Sequence, residues 1–351
     1  MKPARLPNHS PCSSHPCLLR SLAATVVRTA RAGVGRALSL AALVLVLATH
    51  GLTAAQATEM GNPAATAEVA AVAKALAVAA AAVPGKATSP SAADEAWREA
   101  EALFARRAEG AHGAVADPAM ADAAVAAYRR AWAQSPGDLV RLGGLLHALY
   151  FRGTYCGDVG ETKEALFDEG RRLGQAATNA LEKPLVEMPD ADRLASLRRV
   201  PGTASVFYWS MANWGEWALI AGTFSAATSG VGGMMRHHAT TVAALDPYLD
   251  GAGAFRALGR LHHQSPRIPF LTGWVSKTEA IEHLRHSMAL DPECRTAWVY
   301  LAEAILDYEP EHREEALALL RRAVTEAPRP EYVVEDARSS DLARAILAAR
   351  G

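Results

Sequence analysis

The chain has 351 residues, of which half are hydrophobic and 6% are aromatic, and its 36 basic side chains face 37 acidic ones. Such an apolar fraction supports a sizeable core, and the abundance of alanine and leucine favours helix over strand. Residues 1–57 hold six of the bases and no acid, so the rest of the chain carries about −7 and has no basic stripe for nucleic-acid binding.

The first 57 residues have the order of a signal peptide. A basic region ending at Arg36 precedes an apolar run from Ala37 to Ala48, and small residues then lead to Ala55-Gln56-Ala57. This tripeptide has the A-x-A form of a signal cleavage site. The apolar run is shorter than the roughly 20 residues that a membrane-spanning helix needs. We predict a cleaved signal and a periplasmic or secreted protein; an uncleaved inner-membrane anchor is the alternative.

Residues 58–93 follow as an Ala/Pro-rich segment that holds few bulky or charged side chains. A segment of this composition cannot anchor a core, so we predict a linker. Two cysteines, Cys156 and Cys294, remain after cleavage. They could form one disulfide in an oxidising compartment, but their separation in sequence favours two buried free thiols.

From residue 94 to residue 351 the pattern predicts one helical domain. Five apolar residues between Glu95 and Arg107 recur at helical spacing on one face, and period-2 alternation is not sustained anywhere in the domain. The five are Ala96, Trp97, Ala100, Leu103 and Phe104.

The strongest internal signal is a repeated spacing at offsets 0, +4, +7 and +12, with proline in the last position. Its three copies are Ala124, Tyr128, Ala131 and Pro136; Ala280, Leu284, Ser287 and Pro292; and Ala316, Leu320, Ala323 and Pro328. A degraded copy ends in Ala244-Leu245-Asp246-Pro247. Small residues let two helices approach, and proline closes the helix. This is tetratricopeptide spacing, which predicts an all-α fold of helical hairpins stacked into an α-solenoid or compact helical array.

An aromatic block supplies the first candidate site. Trp209, Asn213 and Trp217 are spaced i, i+4, i+8 along one predicted helix, and Trp214 lies beside them. Aromatic walls with a few polar groups are typical of a binding pocket. The alternative is core packing at a helix crossing.

A second candidate is a row of cations. Arg256 and Arg260 lie one turn apart, and His263 follows nearly one turn later. Such a row could clamp a carboxylate or phosphate. Alternatively, these side chains are solvated or paired with acids such as Asp246 and Asp250.

The sequence predicts no catalytic residue, cofactor or metal site. His237-His238 and His262-His263 are adjacent pairs. Neighbouring residues on a helix point about 100° apart, so each pair readily offers one ligand, whereas zinc needs three or four. We find no nucleophile motif around a serine or cysteine.

The central part of the chain, about residues 120–330, resembles the T-components of tripartite ATP-independent periplasmic transporters. The blocks that carry the resemblance are Tyr208-Trp209, Asn213-Trp214-Gly215, Trp217, Leu245-Asp246-Pro247-Tyr248, Asp250-Gly251, Phe255-Arg256-Ala257-Leu258-Gly259-Arg260, Pro266, Pro269, the helix from Lys277, and Tyr300-Leu301-Ala302-Glu303. The resemblance implies tetratricopeptide-like helices in a periplasmic accessory or scaffold protein. T-components are often lipid-anchored, but no cysteine follows the apolar run here.

The leading hypothesis is therefore an exported, non-catalytic binding or scaffold protein. Its expected partners are proteins, among them a periplasmic substrate-binding protein; a small ligand and a homo-oligomer are compatible with it, and nucleic acid is not. A generic tetratricopeptide adaptor for envelope assembly is the alternative, and a helical-scaffold hydrolase or metalloprotein is a third hypothesis. The residues predicted to meet a ligand or partner are Trp209, Asn213, Trp214, Trp217, Arg256, Arg260 and His263.

Overall fold

The computed structural model describes residues 91–157, 160–221, 230–267 and 272–351. The predicted signal peptide, the predicted linker up to residue 90, and Pro269 lie outside the described residues. Of the described residues 79% are helical, in twelve α-helices and no strands. The predicted all-α fold is confirmed.

The helices, numbered in chain order, are α1 (Ala92–Ala105), α2 (Pro118–Gln134), α3 (Leu139–Tyr155), α4 (Lys163–Glu182), α5 (Asp190–Arg198), α6 (Thr203–Ala221), α7 (Val231–Leu245), α8 (Leu249–Gln264), α9 (Lys277–Leu290), α10 (Arg295–Tyr308), α11 (Arg313–Thr325) and α12 (Val333–Arg350). Short 3-10 turns occur at Lys183–Leu185, Pro310–His312 and Pro330–Tyr332.

The helices stack in chain order as two layers. Consecutive helices pack together throughout, except at the short α5, where α6 returns to pack on both α3 and α4. If the short α5 is left out of the count, every second helix is also in contact: α3 with α6, α6 with α8, α8 with α10, and α10 with α12. Aromatic contacts of Phe104 with His147 and Phe151 join α1 to α3. Helices α1, α3, α6, α8, α10 and α12 form the inner layer. Helices α2, α4, α7, α9 and α11 form the outer layer, as in a solenoid of helical hairpins.

The repeated positions explain why the hairpins pack closely. All nine residues at offsets 0, +4 and +7 of the three clear copies are at most 2% exposed, and they lie on the outer helices α2, α9 and α11. Each proline follows the end of its helix, and the degraded copy likewise ends α7 at Leu245. The next inner helix then contributes large buried side chains, such as Leu142 and Trp298. The sequence pattern therefore marks helix contacts.

The last helix contacts the first hairpin. Arg107, just after α1, pairs with Glu335 of α12 at 3.0 Å and donates to the Glu331 carbonyl. Arg338 of α12 donates to the carbonyl of Thr154 in α3 at 2.6 Å, and Val334 packs in a buried cluster with Phe151. The two ends of the inner layer are thereby joined.

Two further expectations concern the cysteines and the membrane. Cys156 and Cys294 are both buried free thiols. Among the described residues, no helix combines the length and the apolar character that crossing a bilayer requires.

Candidate functional site

Trp209 lies in an aromatic group on the inner layer. Its indole stacks on the imidazole of His147, with ring centroids 3.6 Å apart and planes 10° from parallel. The Tyr150 ring is 5.4 Å away. Burial lowers the pKa of His147 well below its ordinary value, with a smaller contribution from Arg107. The imidazole is therefore neutral at pH 7 and acts as an aromatic plane.

Asn213 is a core residue. Its amide is fully buried and donates to the carbonyls of Leu146 at 3.0 Å and Trp209 at 2.8 Å. It also lies so close to Gly170 of α4 that a Cβ there would be 2.4 Å from the amide oxygen. The side chain therefore joins α6 to α3 and α4, and a ligand cannot reach it.

Trp214 and Trp217 face α4 instead of the Trp209 group. The Arg171 guanidinium lies over both rings, at 4.7 and 4.1 Å from their centroids, and the two indoles meet edge to face. Four residues turn a helix by about 400°, so a side chain eight residues on is displaced by about 80°. The predicted single face of Trp209, Asn213 and Trp217 is therefore divided among three surroundings.

Arg256 stabilises an unusual turn at the start of α8. Asp250, Gly251 and Ala252 have φ of 51°, 59° and 57°, a left-handed conformation that costs about 1–2 kcal/mol for each residue with a Cβ. Arg256 Nη1 donates to the carbonyls of Asp250 (2.9 Å) and Gly251 (2.6 Å), and Nη2 donates to the Asp250 carboxylate (2.7 Å). The hydroxyl of Tyr208 donates to the same carboxylate at 2.6 Å. Arg256 therefore pairs with one of the two acids named from the sequence.

Arg260 and His263 connect α8 to α10. Arg260 bonds to Glu303 at 2.5 Å, and His263 bonds to Asp307 at 2.8 Å. Glu303 and Asp307 are one turn apart on α10, so the cationic row on α8 meets an acidic row. Asp246, the other acid named from the sequence, accepts instead from the backbone N–H of Tyr248.

The inner layer brings together a group of side chains that we call the central site. It consists of His147, Tyr150 and Tyr155 around α3, Tyr208, Trp209 and Glu216 of α6, Asp250 and Arg256 of α8, Tyr300 of α10 and Glu335 of α12. Direct contacts join seven of them: His147 stacks on Trp209, Tyr150 meets Trp209 and Tyr155, Tyr208 meets Trp209 and donates to Asp250, and Arg256 pairs with Asp250. The pKa of Tyr150 is raised well above its ordinary value by burial first, and then by Tyr155, Glu216, Tyr300 and Asp250. Trp209 and Arg256 were predicted from the sequence but the tyrosines were not, because isolated tyrosines on different helices have no shared spacing.

Two carboxylates of the central site are poorly solvated. Burial raises the pKa of Glu335, whose Oε1 accepts from Arg107 and whose buried Oε2 has no partner among the described residues. Burial also raises the pKa of Glu216, opposed by the charges of Arg338 and Lys163. Both carboxyl groups therefore hold a proton more readily than an exposed glutamate.

A histidine cluster lies apart from the central site. Ligand atoms of His262, Glu279 and His283 are within 4.8 Å of one another, and the last two are spaced i, i+4, a sequence signal from which no prediction was made. However, the backbone N–H of Ser276 donates to His262 Nδ1 at 3.1 Å. In a neutral ring the proton is then on Nε2, which lies 3.2 Å from Glu279. A protonated Nε2 cannot bind a metal, so we assign none.

A cavity of about 560 Å³ adjoins this cluster. Its lining residues are Ser265, Arg267, Gly273, Trp274, Val275, Ser276, Lys277, Glu279 and Tyr308. None of the polar residues in this lining is buried. Because buried polar groups are what fixes a ligand in a pocket, we assign no ligand to it.

Comparison with known proteins adds no family. No protein-family model matches the chain, and no curated protein is significantly similar to it.

Proposed function

We propose that this protein is an exported, non-catalytic binding protein that serves as an accessory component of a tripartite ATP-independent periplasmic transporter. One observation carries the proposal. Three of the sequence blocks that resemble T-components, around Tyr208-Trp209, Asp250-Gly251 and Arg256, meet at the central site, although they come from two helices and a turn. Blocks that were merely repeat positions would be spread along the array.

The construction of the central site suits binding. The charges of Arg256 and Asp250 are used to hold a left-handed turn, and Tyr208 is fixed by the same carboxylate. Strained backbone of this kind persists where surrounding structure holds it and is concentrated at functional sites. Tyr150 and Tyr155 are partly accessible beside these groups, and aromatic side chains with a few polar atoms are the usual composition of a small-ligand site.

The generic adaptor remains the second candidate because stacked helical hairpins commonly present a broad groove. The contacts of α12 with α1 and α3 favour the ligand-binding proposal, since they join the ends of the inner layer. A peptide or protein segment would need that junction to open.

Export and partner choice can be tested together in a bacterium that carries such a transporter. The full chain with a C-terminal tag is expressed, and the mass of the purified protein is measured. We expect a mature chain that begins at Thr58 and is recovered from the periplasm. Cross-linking in intact cells, followed by mass spectrometry, should link it to the transporter's substrate-binding protein, and a strain lacking that protein is the control. An unprocessed chain, or cross-links only to envelope-assembly proteins, would favour the alternatives.

A further inference from the structure

One hydrogen bond ties the start of α9 to α8. The backbone N–H of Ser276 donates to Nδ1 of His262 at 3.1 Å, and the Ser276 hydroxyl caps α9 by accepting from the Glu279 N–H. His262 is only 1% exposed, so water cannot readily take the place of its Nδ1 as the acceptor. The bond therefore fixes the position of the first turn of α9 relative to α8.

The same histidine lies against the short stretch Thr272–Ser276 that leads into α9. The indole of Trp274 meets the His262 ring edge to face, with ring centroids 5.1 Å apart. On its other neighbour, α7, the guanidinium of Arg236 lies over that indole. The stretch is therefore positioned by contacts with both α7 and α8.

Other hydrogen bonds of this stretch do not reach α8 itself. Arg267 donates to the Gly273 carbonyl at 3.2 Å, and the Thr272 hydroxyl donates to the Pro266 carbonyl. Arg267 and Pro266 both follow the end of α8 at Gln264. His262 therefore supplies the hydrogen bond that connects the stretch to the helix.

This bond requires an Nδ1 without a proton. When an imidazole takes up a second proton, both of its ring nitrogens become donors. The new N–H of His262 would then face the N–H of Ser276, and two donors cannot bond to each other. The second proton and the bond therefore exclude one another.

The surroundings of His262 oppose that proton at neutral pH. Burial is the main cause that lowers the pKa of His262. The half-exposed Glu279, 3.2 Å from Nε2, acts in the opposite direction, whereas His283 on α9 and Arg236 on α7 act in the same direction as burial. The ring is therefore neutral at pH 7, and the bond weakens as the pH falls below the ordinary pKa of histidine.

We propose that the hydrogen bond between Ser276 and His262 is an acid-sensitive latch. A proton taken up from solvent at Nδ1 breaks the bond and releases the Thr272–Ser276 stretch, with the first turn of α9, from α8. Most of the residues that line the neighbouring cavity belong to this region, so release changes the shape of the cavity. The latch does not depend on the proposed function, since it concerns a different part of the molecule from the central site.

Hydrogen exchange measures the latch directly, because the Ser276 amide is one of the two bonded groups. The purified protein is exchanged at pH 7 and pH 5, single amides are resolved by NMR, and the rates are corrected for the intrinsic effect of pH. We expect the protection of the Ser276 amide to fall by about tenfold between pH 7 and pH 5, as the loss of one hydrogen bond implies. The amide of Leu258, in the middle of α8, reports global unfolding and should lose less protection.

The variant His262→Asn keeps the acceptor but removes the titration. The asparagine amide oxygen can take the place of Nδ1 and accept from Ser276, and it has no proton to gain. Protection of the Ser276 amide should then be the same at pH 7 and pH 5. The matched control is His286→Asn, because His286 is an exposed histidine of α9 that contacts Phe255 instead. This control should keep the pH dependence of the parent protein.

Three results would overturn the latch. The first is equal protection of the Ser276 amide at both pH values in the parent protein, a result that needs no variant. The second is a pH-dependent loss that persists in His262→Asn, since another group would then be responsible. The third is an equal loss of protection at Ser276 and Leu258, which would show that the whole domain unfolds.

Discussion

The C-terminal hairpins, α9 to α12, and the central helices, α6 to α8, use different means to pack. The C-terminal hairpins share one cluster of aliphatic, alanine and tryptophan side chains, and their buried Asp336 is paired with Arg329 at 3.0 Å. The central helices bury Asn213 and His238, whose Oδ1 and Nδ1 have no partner among the described residues. The C-terminal hairpins therefore balance the buried charge of Asp336, whereas the central helices leave buried polar atoms without a hydrogen bond, at a cost in stability.

The largest expected effect tests the apolar region. Trp298 is among the largest fully buried side chains, and its indole N–H donates to the Pro292 carbonyl at 2.9 Å. Trp298→Ala should lower the free energy of unfolding by about 3–5 kcal/mol, since it leaves a cavity that packed helices cannot fill. Urea denaturation followed by circular dichroism measures the change. A loss below about 1 kcal/mol would mean that this core is not closely packed.

The central region should be the more sensitive to acid. Burial first, and then the charge of His237, lowers the pKa of His238 to about 4, and its Nδ1 has no partner among the described residues. The folded state therefore resists a proton that the unfolded chain accepts near its ordinary pKa, so stability is present above about pH 6.5 and is lost as pH falls toward 4. Between pH 7 and pH 5 this residue should account for about 2 kcal/mol.

The variant His238→Leu isolates that contribution. Urea midpoints at pH 7 and pH 5 should differ less in the variant than in the parent protein, because leucine cannot titrate. An equal pH dependence in the two proteins would show that His238 accepts a proton without cost. Trp298→Ala is a useful comparison, since it should lower stability at both pH values without changing the dependence.

The smallest effect concerns the left-handed turn. A Cβ at Gly251 would lie 2.3 Å from the Asp291 carboxylate, and the φ of +59° disfavours any side chain. Gly251→Ala should therefore lower the free energy of unfolding by about 1–2 kcal/mol. Gly233→Ala is the matched control: it lies inside α7 with open space around it, and should raise stability by about 0.5–1 kcal/mol. Thermal unfolding of both variants measures the two changes in stability. Changes of the same sign would contradict the turn geometry.

Several features of the fold were predictable because they depend on near neighbours in sequence. The offsets of Ala280, Leu284 and Ser287 identified buried positions, since residues one turn apart share a helix face. The same reasoning failed for Trp217. The prediction placed Trp209 and Trp217 on one face of the helix. Over eight residues the helix rotates enough that the Trp217 indole instead lies under the guanidinium of Arg171. For Arg256 the sequence left two alternatives open, a solvated side chain or one that pairs with an acid.

By itself, the sequence determined that the chain forms helices, where several of them end, and which small residues let them touch, because capping, proline geometry and helical periodicity act over a few residues. Tertiary structure alone decided that His147 stacks on Trp209, that Tyr208 donates to Asp250, and that α12 contacts the first hairpin. Those contacts depend on the curvature of the whole array, which accumulates from small rotations at every helix crossing and has no local signature in the sequence.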